Sequence, residues 1–576
     1  MWPFDQPHLV LLHAPSVYDF RKRPIMFGPI SDVIPSTAIF EMYPVGFTAM
    51  AEYLHRHGFR VRIVNLALRM LKSTTYDPEA AIRRMRPLAF GIDLHWLPHV
   101  QGSLEVASIC KRYHPRLPVI MGGFSASYFF DELLRQNNVD YVIRGDSTEE
   151  PLRLLMEAIS AGRTEDLSHI PNLAWKTPEG RIVANPISHV PDTLDHYGDH
   201  YGHMMRSALR YLDVRSLLPI HDWWSYPITA VMTCRGCNHS CSFCGGSHPG
   251  LKLFGHRGKP AYRSPHRIVQ DILQISSFTS APIFVVGDLR QAGESYAQEV
   301  LDGLAPHRVP NQVVLELFSR APASYFKKIA RALPNFNLEM SPESHDSKVR
   351  RASGKHYTNQ ELEETIEAAL EAGCRKFDLF FMIGLPHQDP SSVLDTVEYC
   401  KTLLQRFGPR LVPFISPLAP FIDPGSPIFE NPQQFGYTLF LKTLEDFKEA
   451  LLQPSWKYAL SYETRWMSRD QIVDVTYEAA LRLNRIKADF GLIDRRTSQL
   501  VEERIVLARQ LIARIDECMA LAQAQKEQAL KAIAQEIQLV NSNTLCEARE
   551  IQWPSPKNFH PLGVARNLLK GLRRRT

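Results

Sequence analysis

Over the first 160 residues, short apolar runs alternate with stretches of helical periodicity. His8-Leu9-Val10-Leu11-Leu12 reads as a buried strand, Val45 to His57 as a helix stopped by Gly58, and Arg60 to Asn65 as the next strand. Leu88 to Ile92 gives a third strand, Ser103 to Tyr113 a helix, Pro118 to Met121 a strand ending at Gly122-Gly123, Tyr141 to Ile143 a fifth strand and Glu149 to Ser160 a helix. This alternation predicts a doubly wound parallel sheet, whose ligands sit beyond the carboxyl ends of the strands, here Ala14-Pro15, Asp93-Leu94-His95 and Gly122-Gly123-Phe124. Residues 161–226 break the rhythm. Asn172 to Lys176 and Arg181 to Val183, joined by Pro178-Glu179-Gly180, read as a hairpin within a linker.

From Ile228 the alternation resumes with six strands: Ile228 to Thr233, Ile283 to Val286, Val313 to Phe318, Asn337 to Ser341, Phe377 to Ile383 and Leu411 to Ser416. Helical patterns lie between them, so this part suits a full or partial β/α barrel with chemistry at the carboxyl ends of its strands. After Pro427 strand signals fade, and Leu511, Ile515, Cys518, Leu530, Ile533, Ile537 and Val540 keep helical spacing. The expected division is a sheet domain over 1–160, hairpin and linker over 161–226, barrel over 227–430, helical domain over 431–545 and basic tail over 546–576.

At 44% hydrophobic and 22% charged residues in 576, the composition excludes a disordered, collagen-like or coiled-coil chain. Uncharged apolar runs such as Leu379 to Leu385 fall far short of a membrane span, and Met1 to Asp5 does not read as a secretion signal, so a cytoplasmic location is expected. The net charge of +5 comes from the end of the chain: from Ile551 onward Lys557, Arg566, Lys570 and Arg573 to Arg575 have no acidic neighbours. Such a tail suits phosphate or an anionic membrane surface, or is simply solvated. Aromatic residues are not interleaved with the basic ones, so nucleic-acid binding is not indicated.

Of nine cysteines, five are scattered through apolar patterns and read as core residues of a reduced compartment. The other four fall within Thr233-Cys234-Arg235-Gly236-Cys237-Asn238-His239-Ser240-Cys241-Ser242-Phe243-Cys244-Gly245-Gly246, directly after the first barrel strand. Cys237, Cys241 and Cys244 are spaced C-x3-C-x2-C on a glycine-containing loop, which suits an iron-sulfur cubane with one iron left open. Four cysteines on zinc remain the alternative, although three residues between the two pairs is short for a zinc ribbon. A ferredoxin run fits poorly, since the spacings come in the wrong order and no proline follows the last cysteine.

This loop resembles the signature of radical S-adenosylmethionine enzymes. The resemblance implies that Cys237, Cys241 and Cys244 hold a 4Fe-4S cluster whose open iron binds S-adenosylmethionine, which is cleaved to a 5'-deoxyadenosyl radical. Phe243 would then lie against the adenine. Gly287-Asp288 stands where the family has a Gly-Gly-Glu motif for the methionine amino group, and Glu343-Ser344 resembles its Glu-Ser element near the ribose. Gly384-Leu385-Pro386 resembles its Gly-Leu-Pro-Gly turn with His387 replacing the last glycine. Arg320 is a candidate partner for a carboxylate in the site or a surface residue, and Cys234 reads as a spare thiol beside the cluster.

The α/β domain before the barrel is similar to the cobalamin-binding branch of that superfamily, a resemblance covering roughly residues 8–430. The Rossmann-like sheet would carry cobalamin, with Gly122, Gly123 and Ser125 in the turn facing the corrin. Asp93-Leu94-His95 only partly matches the Asp-x-His-x-x-Gly motif that supplies a cobalt ligand: Pro98 replaces the glycine and the triplet follows the third strand. Cobalt ligation by His95 is therefore not expected, but Asp93 and His95 sit where cofactor or substrate is contacted. Together these features imply methyl transfer to an unactivated carbon of a small-molecule or peptide substrate, with flavodoxin or ferredoxin as electron donor. A non-methylating rearrangement or cyclisation, a radical enzyme without cobalamin, and a non-catalytic metal-binding scaffold are the alternatives.

Overall fold

Five apolar runs of the amino-terminal segment form parallel strands in a computed structural model that describes residues 6–29, 36–196, 198, 200–418, 420–541, 545–553, 556 and 558–570. They are β1 (Leu9–His13), β2 (Val61–Asn65), β3 (Ala89–Asp93), β4 (Val119–Gly122) and β5 (Tyr141–Ile143), ordered 2-1-3-4-5. Side chains alternate between faces along a strand, so two cores form. Val10, Leu12, Phe90, Ile92 and Met121 pack on one face, and Leu9, Leu11, Val61, Ile63 and Ile120 on the other. Helices cover both faces, which is why the strands read as nearly unbroken apolar runs.

The predicted hairpin forms, but it is not a separate linker. Its strands β6 (Leu173–Lys176) and β7 (Ile182–Ala184) extend the first sheet antiparallel from β5, making seven strands. The apolar Leu173 and Ala174 are fully buried by this addition, which the period-2 pattern alone could not assign to a partner.

Six further parallel strands make the open barrel: β8 (Thr229–Met232), β11 (Ile283–Val286), β12 (Val313–Leu317), β13 (Phe336–Glu343), β14 (Phe377–Ile383) and β15 (Leu411–Pro417), adjacent in chain order. Between the first two, β9 (Cys234–Arg235) and β10 (Ala261–Tyr262) pair antiparallel and anchor the base of the cysteine loop. Long helices Arg469–Asp489 and Arg495–Met519 follow, and their Leu483, Ile505 and Leu511 share one continuous core with Phe377 and Leu379 of the barrel.

The end of the chain differs from a solvated tail over its described part. Trp553 is buried against Phe284 and donates from Nε1 to Asp378 at 3.0 Å, closing the barrel floor. Helix Pro561–Lys570 lies on helices His200–Tyr211 and Pro265–Phe278, with Asn567 exchanging hydrogen bonds with Gln274 and Ser277. Lys557 and Arg573 to Arg575 lie outside the described residues.

Cross-domain bonds set the ligand edge of the first sheet against the mouth of the barrel. Arg235 pairs with Glu149 at 2.6 Å, Arg257 with Asp146, and Tyr128 donates to Glu430 at 2.7 Å. Helix Val100–Tyr113 also starts at this edge, where a Cβ on Gly102 would stand 1.8 Å from the carbonyl oxygen of Pro15. Gly102→Ala is expected to cost about 1–3 kcal/mol in a denaturant titration, because helix or loop must move to admit the methyl group.

Candidate active site

The cysteine loop leaves β9 and returns through the helix His248–Phe254. Cys237, Cys241 and Cys244 are all free thiols, and burial pushes each above its ordinary pKa. Such thiols give up their protons only to a cation or a metal. Two features fit the loop to an iron-sulfur cluster. The His239 amide donates to Cys237 Sγ at 3.4 Å, as sulfur ligands of a cluster require, and the ammonium of Lys355 lies close enough to favour the thiolate of Cys241.

Residues 353–355, which follow the helix Ser347–Ala352, buttress the loop. Ser353 accepts from the Ser242 amide at 3.3 Å, and a side chain on Gly354 would strike the Ser240 carbonyl. Lys355 is buried and pairs with Glu343 at 3.8 Å. Burial opposes its charge, but Glu343 and the nearby thiols hold its pKa above the ordinary value. Glu343 sits at a β-bulge with φ of 69°, a backbone region rare outside glycine, and its Oε2 has no hydrogen-bond partner within the chain. Burial lifts its carboxyl to about 7 against the pull of Lys355. A strained, buried carboxylate with a spare oxygen beside Cys241 suits a ligand hydroxyl or ammonium.

The other expected S-adenosylmethionine contacts divide. Phe243 is nearly buried in the loop, and Gly287 borders Cys234, which would lie 3.3 Å from a Cβ there. Asp288 is a correction: Arg290 takes both its oxygens, at 3.0 and 2.6 Å, and the Phe318 amide takes one as well, so no oxygen is left for an ammonium group. The open carboxylate near Gly287 is instead Glu316 on β12, which accepts from the Gly287 amide and is raised by burial to about 7. Ser344 is spent within its turn, its Oγ accepting from the Asp346 amide at 3.1 Å. Gly384 packs against the Tyr462 hydroxyl and gives its carbonyl to Tyr437 at 2.5 Å, so it shapes the barrel rim and is closed off by tyrosines. Arg320 is exposed and pairs with Glu361 at 3.1 Å, the surface alternative.

Across the mouth, the carboxyl edge of the first sheet carries a histidine cluster around Asp93. His13 Nδ1 meets the two Asp93 oxygens at 3.0 and 3.1 Å, and His95 Nδ1 meets one at 2.7 Å. Burial alone would raise the Asp93 carboxyl, but the two imidazoles hold it far below its ordinary range. His95 thus keeps Nε2 for another partner, while His99 bonds Ala14 through Nδ1 and has a buried Nε2 without a partner in the chain. Gly123 has φ of 117°, and a side chain there would collide with His95 itself, so this glycine serves the fit of two loops. Ser125 is buried in the short helix that follows and Gly122 ends β4. A cavity of about 280 Å³ joins Ser16, Phe40 and Trp96 on this edge to Ser341, Met382 and Ser416 on the barrel strands. The buried His99 Nε2 without a partner and the open His95 Nε2 at this edge fit contact with a cofactor. Asp423 ties the halves together, accepting from Trp96 Nε1 and from the Gly245 amide at 3.1 Å each.

Sequence reading missed His13, Glu316, Lys355 and Asp423. Glu316 did carry a signal: a carboxylate inside the otherwise apolar run Val313 to Leu317. His99 has a thermodynamic consequence. Burial and its imidazole neighbours lower its pKa well below 6.5, so it folds neutral and gains a proton on unfolding. Stability is therefore lost as pH falls below about 6.5, and His99→Gln is expected to flatten that acid limb in melts of cluster-free protein from about pH 8 to about pH 5.5.

Two family models match the chain: the B12 binding domain over residues 32–155 and the radical SAM superfamily over residues 231–400. The hopanoid C-3 methylase of Methylococcus capsulatus is 23% identical over 304 residues, 52% of this chain and 51% of that one. The anaerobic magnesium-protoporphyrin IX monomethyl ester cyclase of Rubrivivax gelatinosus is 23% identical over 149 residues, 26% of this chain and 25% of that one. The chain thus spans about half the length of the first of these relatives and less of the second. Among solved structures, the radical S-adenosylmethionine methyltransferase TsrM of Kitasatospora setae, with cobalamin and a [4Fe-4S] cluster, superposes with a TM-score of 0.57 at 16% identity over 85% of this chain and 90% of that one. The cobalamin-dependent radical enzyme OxsB gives a TM-score of 0.56 at 10% identity over 99% of this chain and 80% of that one. The chain thus carries, on one polypeptide, an amino-terminal B12 binding domain followed by a radical SAM superfamily domain.

Proposed function

We propose that the protein methylates an unactivated carbon of its substrate. When bound, the cluster supplies the electron that cleaves S-adenosylmethionine, and cobalamin supplies the methyl group. The carrying observation is the cavity of about 280 Å³ walled on one side by Ser16, Phe40 and Trp96 and on the other by Ser341, Met382 and Ser416. A substrate there lies between the two cofactor-binding edges, out of bulk water. Cys237, Cys241 and Cys244 would hold the cluster, and Phe243, Gly287, Glu316 and Glu343 would line the S-adenosylmethionine. Asp93 orients His95 toward the corrin side, and Gly122, Gly123 and Ser125 shape the turn beneath it. Trp96, Asp423 and Gly245 fix the separation of the two halves. The electron would come from flavodoxin or ferredoxin. The hopanoid methylase and TsrM support methyl transfer, while the cyclase relative keeps a non-methylating cyclisation as the second reading.

The test is anaerobic reconstitution with iron, sulfide and hydroxocobalamin, then reductant and S-adenosylmethionine. Formation of both 5'-deoxyadenosine and S-adenosylhomocysteine is expected. 5'-Deoxyadenosine alone points to the cyclisation reading, and neither product refutes both.

A further inference from the structure

A second cavity, of about 500 Å³, runs along the edge strand β8 and reaches Cys234 and Arg235 beyond its carboxyl end. That volume falls within the range of ligand pockets, roughly 300–1,000 Å³. One wall is Ile228, Ala230 and Met232 along the barrel's edge strand, and the facing wall is Met204, Met205 and Ala208 of helix His200–Tyr211. Val45 and Ala49 close it from the first sheet domain, and Val564 and Leu568 from the carboxyl-terminal helix. The lining is hydrocarbon with several methionines, which adapt to irregular apolar shapes. From Ile228 to Cys234 the extended chain covers roughly 20 Å at ~3.3 Å per residue, a long and narrow space.

The cavity's lining includes the buried Arg263, which pairs with Asp271 at 2.6 Å and whose Nε lacks any partner within the chain. A buried guanidinium donor left over in an apolar wall is costly unless a ligand oxygen meets it. Leu209 and Trp224 line the cavity and are more than half exposed, as are Leu212, Leu562 and Leu569 on or beside the two helices that wall it. The carboxyl-terminal helix is apolar on both sides: Val564 and Leu568, four apart, line the cavity, while Leu562 and Leu569, seven apart, face outward. Arg206, Arg210 and Arg566 stand on the two helices that form this rim. Outward leucines and tryptophan beside clustered positive charge are the chemistry of a helix that settles on an anionic bilayer. Among the described residues no helix is long and apolar enough to cross one.

We propose that this cavity is a lipid site: it takes the hydrocarbon body of an amphiphilic lipid from an anionic membrane surface through the Leu209, Trp224 and Leu562 rim, with the lipid's oxygen-bearing end at Arg263. The site does not depend on the cluster chemistry.

Full-length protein is tested with cis-parinaric acid fluorescence and with flotation on vesicles of equal parts phosphatidylcholine and phosphatidylglycerol. Wild type is expected to enhance the probe's fluorescence saturably and to float. Ala208→Trp and Val564→Trp, on opposite walls, are expected to weaken the probe at least about tenfold while still floating. Leu562→Asp with Leu569→Asp is expected to stop flotation and keep probe binding. Absence of saturable enhancement, tryptophan variants with wild-type melting temperature that bind the probe as wild type does, or wild type left out of the vesicle fraction would each overturn the proposal.

Discussion

Replacing Cys237, Cys241 or Cys244 with alanine is expected to drop bound iron from about four per chain to fewer than about one and to bring S-adenosylmethionine cleavage to background. Each holds one corner of the proposed cluster, and two thiolates on this loop do not retain it. Cys234→Ala is expected to keep both iron and cleavage. Its side chain leaves the β9 edge toward the lipid cavity and Gly287, its thiol is pushed up to about 11 by burial, and its Sγ contacts the Gly236 carbonyl. Iron content and 5'-deoxyadenosine, measured on the four variants together, separate the three-cysteine reading from a four-cysteine zinc site.

The second large effect lies one layer behind the loop. Lys355→Met leaves Glu343 buried without its cation, and the carboxyl must then take up a proton or remain charged in an apolar setting. Wild-type Glu343, its carboxyl already at about 7, carries most of the cost of that proton, so at about 1.4 kcal/mol per pH unit the further loss of stability through it in cluster-free protein is capped at about 1.4 kcal/mol at about pH 8 and falls to about zero at about pH 6. The sign follows from linkage: a carboxyl raised on folding binds more protons folded than unfolded, so stability falls as pH rises from 4.5 through the raised value. Denaturant titrations at the two pH values check it. A Lys355→Met penalty that is equal at both, or larger at the lower pH, would falsify the pairing. The double variant Lys355→Met with Glu343→Leu is expected to recover most of the stability, since the buried charge has gone with its partner.

Fold class was legible because parallel strands buried on both faces write themselves as unbroken apolar runs, as in Leu9 to Leu12 and Leu379 to Ile383. The hairpin Leu173 to Ala184 was seen, but not its partner strand, because pairing to β5 is a tertiary choice that no local pattern encodes. The tail misled for a related reason: six basic charges dominate its composition, while Trp553 and the alternate apolar positions of helix Pro561–Lys570 decide where it packs. At the site, the cysteine loop stood out in the sequence because three thiols lie within eight residues. Glu316, Lys355 and Asp423 come from strands and turns far apart in sequence, and only folding places them around the loop. Asp288 looked like a ligand by position after β11, and a nearby arginine two residues on, Arg290, consumes it.

The most direct measurement is the electron paramagnetic resonance spectrum of reconstituted, reduced protein before and after S-adenosylmethionine is added. An iron held by no protein thiolate is free to take the amino and carboxylate groups of that molecule, so the g-values should move, in wild type and in Cys234→Ala alike. A reduced cluster whose signal is indifferent to S-adenosylmethionine, or no cluster signal at all, would contradict the assignment of Cys237, Cys241 and Cys244.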